Sequence, residues 1–187
     1  MNRVVREDWL DAGLALLASD GRWALTIERL CARLEKTKGS FYHHFTDMPT
    51  YQRALLLRWQ GRHTEALIED SRAAGDAQAR SERLRLRVAA ADLRVERAIR
   101  AWAAVEPDAR VALERVDARR LAYLTELARD RGGDPARAEV AARLEYAAFV
   151  GVVTLFGELP AAQRELLSRS LGEALALWSA APSSPRT

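Results

Sequence analysis

With 187 residues, of which 49% are hydrophobic and 29% charged, the chain can bury one ordinary domain or a small module beside a larger one, and it is far from disordered in composition. Its single cysteine, Cys31, excludes an internal disulfide and a cysteine-based zinc cluster, and it suits a reducing compartment. The net charge of +3 is modest, and residues 1–50 carry seven basic against seven acidic side chains, so bulk charge alone does not mark a nucleic-acid binder.

Charge from Arg3 onward is not the pattern of a signal peptide, and no apolar run approaches the ~18–20 residues of a membrane span. The expected location is therefore the cytoplasm. Almost every segment reads as helix: Ala, Leu, Arg and Glu dominate, and no stretch shows sustained period-2 alternation. A first helix is expected at about residues 5–18, with Val5, Trp9, Ala12 and Leu16 on one face and an end at Ser19-Asp20-Gly21. Thr26 is the expected N-cap of a short helix carrying Ile27, Leu30 and Leu34. A tight connection at Glu35-Lys36 leads to a second short helix from Thr37 to His44. Thr46-Asp47 caps a long fourth helix that tolerates Pro49 in its first turn and aligns Tyr51, Leu55, Trp59 and His63 at spacing four. After a break at Gly75-Asp76, helices are expected near 77–91 and 93–105. Pro107 starts a seventh of about 23 residues that ends at Gly132-Gly133. Asp134-Pro135 begins the eighth, which runs to Gly157, and Pro160 begins the ninth, which reaches Ser179. The tail 181–187 is expected to be disordered.

Within this pattern one stretch stands apart. Lys36 and Lys38 are the only two lysines, the other 27 basic residues are arginines, and His43 and His44 are two of the three histidines. The piece from Thr26 to Phe45 has the mechanics of a helix-turn-helix, with two short helices, a turn too tight to separate domains, and a second helix too polar outside to be core. Hydroxyl side chains and free backbone N–H groups at its start make an anion-binding end. Lys38, Tyr42 and His43 can reach phosphates and base edges in a major groove. Phe41 and Phe45 would face inward. His43 and His44 diverge by about 100° on a helix, which argues against a shared metal.

Trp9-Leu10-Asp11-Ala12-Gly13, Asp20-Gly21, Leu25-Thr26-Ile27 and Thr37-Lys38-Gly39-Ser40-Phe41-Tyr42-His43-His44-Phe45 resemble the DNA-binding domain of the TetR family of bacterial one-component regulators. The resemblance implies an all-α fold, with an N-terminal three-helix helix-turn-helix domain (1–46) followed by a larger helical domain for effector binding and dimerisation (47–180). It implies that Thr26 contacts a phosphate, that Thr37, Lys38, Gly39 and Ser40 enter the groove, that Tyr42 and His43 touch backbone or bases, and that His44 contacts a phosphate. Gly39 would let the DNA backbone come close. Three positions depart from the family pattern. Glu35-Lys36 replaces the usual Gly-Val turn, so Lys36 must snorkel outward, where it could add a phosphate contact. Glu35 would need a partner such as Lys38. Met48 stands where a basic residue is common.

No catalytic pattern competes with this reading. Lys-Thr-Lys-Gly-Ser lacks the glycine spacing of a P-loop, and there is no Gly-x-Ser-x-Gly elbow, His-Glu-x-x-His or dinucleotide-binding glycine pattern. No enzyme activity, cofactor or metal is expected. In the second domain Trp59, His63, Trp102, Tyr146 and Phe149 are candidates for an effector pocket that takes a largely apolar, roughly neutral molecule, although a Trp at helical spacing is ordinarily core. Asp117 and Arg120, three apart on the seventh helix, could form an ion pair. On the eighth helix Val140, Leu144, Ala147, Gly151 and Leu155 form one apolar line, and Tyr146, Phe149, Val150, Val153 and Phe156 fill much of the rest. A helix apolar nearly all round needs cover on two sides. The ninth helix gives part of it, and the same two helices of a second subunit would give the remainder; a monomer with a central eighth helix is the competing arrangement. The expected function is a ligand-responsive regulator, a repressor that binds a palindromic operator as a homodimer and is released by a small molecule. The alternative is a non-enzymatic interaction protein of the same fold that binds another regulator instead of DNA.

Overall fold

The computed structural model describes residues 5–132 and 134–180; the expected tail at 181–187 lies outside the described residues. Side-chain caps decide where most helices begin. Helix α1 (Arg6–Asp20) starts at extended Val5, whose N–H is bound by the Asp8 carboxylate at 2.8 Å, and stops at Gly21, which takes φ +72°. The Thr26 hydroxyl accepts from the Arg29 N–H (3.2 Å) to open α2 (Ile27–Leu34), and the Thr37 hydroxyl accepts from the Ser40 N–H (3.4 Å) to open α3 (Lys38–His44). The Asp47 carboxylate accepts from Thr50 N–H at 2.7 Å and starts α4. That helix runs Met48–Gln60, loosens into a π segment at Gly61–Glu65, and resumes as Ala66–Arg72. Helices α5 (Ala77–Ala90), α6 (Arg94–Ala103), α7 (Pro107–Asp130), α8 (Pro135–Leu155) and α9 (Ala161–Ala180) complete the chain. The caps expected at Thr26, Asp47 and Asp134 are all in place, and the fold is all-α. The π segment was not expected from the helical periodicity; α8 stops two residues short of Gly157.

The helices divide into two compact units. One comprises the described residues up to Glu65 together with Asp92–Val116, and the other comprises Ala66–Ala91 together with the described residues from Asp117 onward. In the first, Trp9, Phe41, Phe45, Tyr51, Leu55, Trp59, Ile99 and Trp102 are buried in one core. Within it α1 and α4 cross. The buried Tyr51 hydroxyl passes over Gly13 and donates to the Trp9 carbonyl at 2.8 Å; a Cβ on Gly13 would lie 1.9 Å from that hydroxyl. Burial pushes the Tyr51 hydroxyl's pKa well upward, so it stays a donor. Ring contacts carry the crossing on to α3: Tyr51 lies 5.5 Å from Phe41 and 5.0 Å from Phe45, edge to face with the latter. At the rim, Arg58 donates two bonds to Asp11 (3.0 and 3.1 Å) and Arg62 a third (2.7 Å). Burial acts to raise the Asp11 carboxyl, but the Arg58 bonds and the Arg62 charge outweigh it and leave its pKa below the ordinary value.

In the second unit Ile68, Tyr123 and Leu127 are buried together, and the Ser71 and Tyr123 hydroxyls share a bond of 2.8 Å. Arg164 of α9 donates to the Ala89 carbonyl at 2.7 Å and to the Ala91 carbonyl at 2.9 Å, which supplies the partners that the C-terminus of α5 lacks.

The connection from α2 to α3 is a Schellman-type stop. Lys36 N–H bonds the Cys31 carbonyl at 2.9 Å and Glu35 N–H bonds the Ala32 carbonyl at 3.4 Å, with Glu35 at φ +54°. Among the described residues Glu35 alone takes a positive φ without being glycine, and its carboxylate sits at the negative end of α2.

Two stability measurements follow from these contacts. Gly13→Ala should lower unfolding stability by roughly 2 kcal/mol in urea titration, because the added methyl must displace the Tyr51 hydroxyl. In a Tyr51→Phe background the penalty should fall by more than half, and simple additivity would rule the crossing out as its cause. Glu35→Gly should instead stabilise by about 0.5–1 kcal/mol, since relief of the left-handed strain exceeds the extra chain entropy; a lower melting temperature would contradict this account of the turn.

Candidate nucleic-acid interface

Helix α3 and its two capping residues, Thr37 and Phe45, have two unlike faces. Phe41 and Phe45, at 0% and 2% exposure, point inward, where Phe41 meets Trp9 edge to face at 5.5 Å. Their burial fixes the rotation of the helix and turns Lys38, Gly39, Tyr42 and His43 outward; all four are exposed, as is Thr37. Thr26, Lys36, Ser40 and His44 are half-buried. His44 lies 6.4 Å from the Trp9 ring and 5.0 Å from His43, ring to ring. All nine residues selected from the sequence therefore stand at the surface of α2, the turn and α3, exposed or half-exposed.

Gly39 is informative because nothing inside the molecule requires it. A Cβ there would meet only the Thr37 hydroxyl oxygen at 3.7 Å, an ordinary contact. Its φ is not in the positive region. Glycine in a helix is unfavourable by roughly 1 kcal/mol relative to alanine, so its presence on this face points to a constraint from outside the chain.

The electrostatics differ from expectation. Lys38 Nζ donates to Glu28 Oε1 at 2.5 Å, across ten residues of sequence, rather than pairing with Glu35. The bond from Lys38 holds the Glu28 carboxyl below the ordinary value, with further help from its own backbone N–H and the Thr26 hydroxyl. The same bond raises Lys38. Arg29 of α2 is likewise joined to Asp20 at 2.8 Å. Met48 is half-buried and packs against the core, which gives its apolar side chain a use at the place where a cation was expected. Two surface features carried no local signal. The role of Glu28 depends on a neighbour ten positions away, and Trp23 is 80% exposed with the Arg22 guanidinium 4.2 Å above its ring.

The residues named for an effector pocket fall in different places. Trp59 and Trp102 are buried in the first unit's core. His63 is half-buried in the π segment of α4. There Asp92 is held below its ordinary carboxyl value by the bond from Arg94, with a smaller contribution from the His63 ring. Tyr146 and Phe149 lie in the second unit, half-buried and stacked at 5.9 Å. The Tyr146 hydroxyl donates to Asp117 at 2.5 Å, and the Arg120 guanidinium lies 5.6 Å over the Phe149 ring. Among the described residues no group of three His, Cys, Asp or Glu side chains could hold a metal ion, and no helix is long and apolar enough to cross a membrane.

Comparison with known proteins agrees with this geometry. Residues 10–48 match the family model for bacterial regulatory proteins of the tetR family. No curated protein matches the chain. Among solved structures, a transcriptional regulator from Rhodococcus sp. Rha1 superposes with a TM-score of 0.74 at 16% identity, over 96% of this chain and 100% of that one. E. coli NemR in its reduced form gives 0.67 at 21% identity, over 97% and 99%. A protein from Saccharomonospora viridis, described as a transcriptional regulator and bound to choline, gives 0.71 at 15% identity, over 90% and 95%. These likenesses establish a shared fold over 90–97% of the chain, and the match at residues 10–48 falls on the segment that holds the candidate interface. Over residues 10–48 the chain is thus similar to bacterial regulatory proteins of the tetR family.

Proposed function

We propose that the protein is a DNA-binding transcriptional repressor that acts in the cytoplasm as a homodimer, grips a palindromic operator with α3 of each subunit, and is released by a small molecule. The observation that carries the reading is the two-faced α3, with Phe41 and Phe45 sealed inside while Thr37, Lys38, Gly39, Tyr42 and His43 stand clear. An exposed hydroxyl–lysine–glycine start followed by an aromatic and an imidazole suits close backbone approach and mixed phosphate and base contact. Lys36, Ser40, Thr26 and His44 flank it and complete the surface.

Dimerisation is supported by α8 and α9. The apolar line of α8 leaves Val140, Leu144, Ala147 and Leu155 exposed in the single chain. Leu155 is 73% exposed and Leu177 of α9 is 76% exposed. Apolar surface concentrated on two adjacent helices suits an isologous four-helix interface. For the effector, the stacked Tyr146 and Phe149 offer an aromatic surface with polar groups beside it, the composition of a small-molecule site. A largely apolar, roughly neutral molecule suits it.

Selecting bound sequences from random duplexes tests the reading directly. A palindrome should be enriched, and compounds can then be screened for its release; failure to enrich any sequence would overturn the proposal. Gly39→Ala separates function from folding. It should leave stability unchanged or raise it by up to about 1 kcal/mol, yet weaken binding to the selected duplex by tenfold or more. Undiminished affinity would remove Gly39 from the interface. Light scattering should return twice the 20.9 kDa chain mass. Gly151→Arg should reduce it to one chain with the fold intact, since a Cβ at Gly151 meets nothing within 4 Å. A dimer unchanged by that substitution would move the interface elsewhere.

A further inference from the structure

The cations of the proposed DNA-binding face are not all free to meet DNA. Residues 26–45 contain four, Arg29, Arg33, Lys36 and Lys38, with Glu28 and Glu35 among them. Lys38, at the first turn of the recognition helix, is joined to Glu28. Glu28 in turn stands in the first turn of α2, just after the N-cap Thr26. A lysine ammonium beside the start of a helix is a donor that a DNA phosphate would use. In the free protein the Glu28 carboxylate occupies it.

We infer that Glu28 is an internal substitute for a DNA phosphate: it holds Lys38 in a neutral pair that DNA must displace, and so sets the affinity of the interface below what its cations would otherwise give. The inference rests on the DNA-binding reading above. Both side chains are more than half exposed, so the pair is weak enough to be exchanged for a phosphate without disturbing the fold. Once displaced, Glu28 is left beside the DNA backbone as an unpaired anion and takes up a cation from solution. The counterion released where Lys38 meets its phosphate is then offset, and the site contributes little to the salt dependence of binding. Removing the carboxylate changes both quantities, affinity and salt slope, in a defined direction.

The test uses the full chain and its selected duplex. Glu28→Gln keeps the size and hydrogen-bonding capacity of the side chain without its charge, and its melting temperature serves as the folding check. It should bind about 2- to 30-fold more tightly as a dimer, the range expected when one exposed pair per subunit no longer competes. The plot of log affinity against log salt should steepen by about 0.9 for each recognition helix. Glu35→Gln removes the same charge from the adjacent turn, away from the Lys38 pair; it should shift affinity less and leave the slope as it was. Equal gains from both variants, with unchanged slopes, would reduce the effect to bulk charge and overturn the role of Glu28. Weaker binding by Glu28→Gln would overturn it as well, because the pair would then be organising Lys38 for DNA. If neither the native protein nor the variant binds any duplex, the DNA-binding reading itself falls, a result distinct from native binding that Glu28→Gln fails to improve.

Discussion

The Tyr51 hydroxyl bond to the Trp9 carbonyl, made across the bare backbone of Gly13, sets the geometry of the unit that carries the candidate interface. It lets α1 and α4 cross closely enough that a methyl group does not fit between them. The same tyrosine ring closes over Phe41 and Phe45, so α4 contacts α3 through two buried aromatics as well as α1 through a hydrogen bond. Close-packed interiors resist gradual deformation and change between discrete arrangements. A displacement of α4 therefore cannot leave α3 behind. If an effector moves α4, the rotation of α3 follows through Tyr51 rather than through a flexible linker.

The rim of the crossing adds a charged clamp, in which Arg58 and Arg62 converge on Asp11. Its stabilisation is present above the unfolded carboxyl pKa and is lost as the pH falls through the lowered folded value. Arg62 belongs to the π segment, so the point where the long helix loosens is also a point where it is tied to α1. π segments relieve helical regularity locally. A helix that is fixed by Tyr51 and Asp11 and loosened just beyond is suited to carry motion in one stretch while holding register in another.

Much of this was legible from local chemistry. Thr26, Thr37, Asp47 and Asp134 each bind an N–H two or three residues ahead, so their capping role follows from adjacent sequence. Phe41 and Phe45, four apart between polar neighbours, could be assigned to the inner face for the same reason. What escaped depends on residues far apart in sequence. Glu28 reaches Lys38 over ten positions, Tyr51 reaches Trp9 over 42, and Arg164 reaches the end of α5 over more than 70. No periodicity encodes such pairs. Trp59 shows a further limit: its spacing correctly placed it on the buried stripe of α4, but spacing alone does not distinguish a core indole from one that faces a ligand.

The weak electrostatics of a single interface bear on how such a regulator could be switched. On the proposed reading, a recognition helix whose lysine is held by Glu28, beside a strained turn bearing Glu35, would give one subunit little affinity by itself. In the proposed dimer useful affinity requires both helices to engage at once, and that depends on their separation matching one turn of DNA or a multiple of it. A change in spacing then removes a whole half-site. Tight half-sites would each hold on alone, and an effector would need several kcal/mol of differential binding to dislodge them. Weak half-sites lower that requirement. On this argument the acidic residues within the interface help the switch: they keep each half below the affinity at which it could resist release by a small molecule.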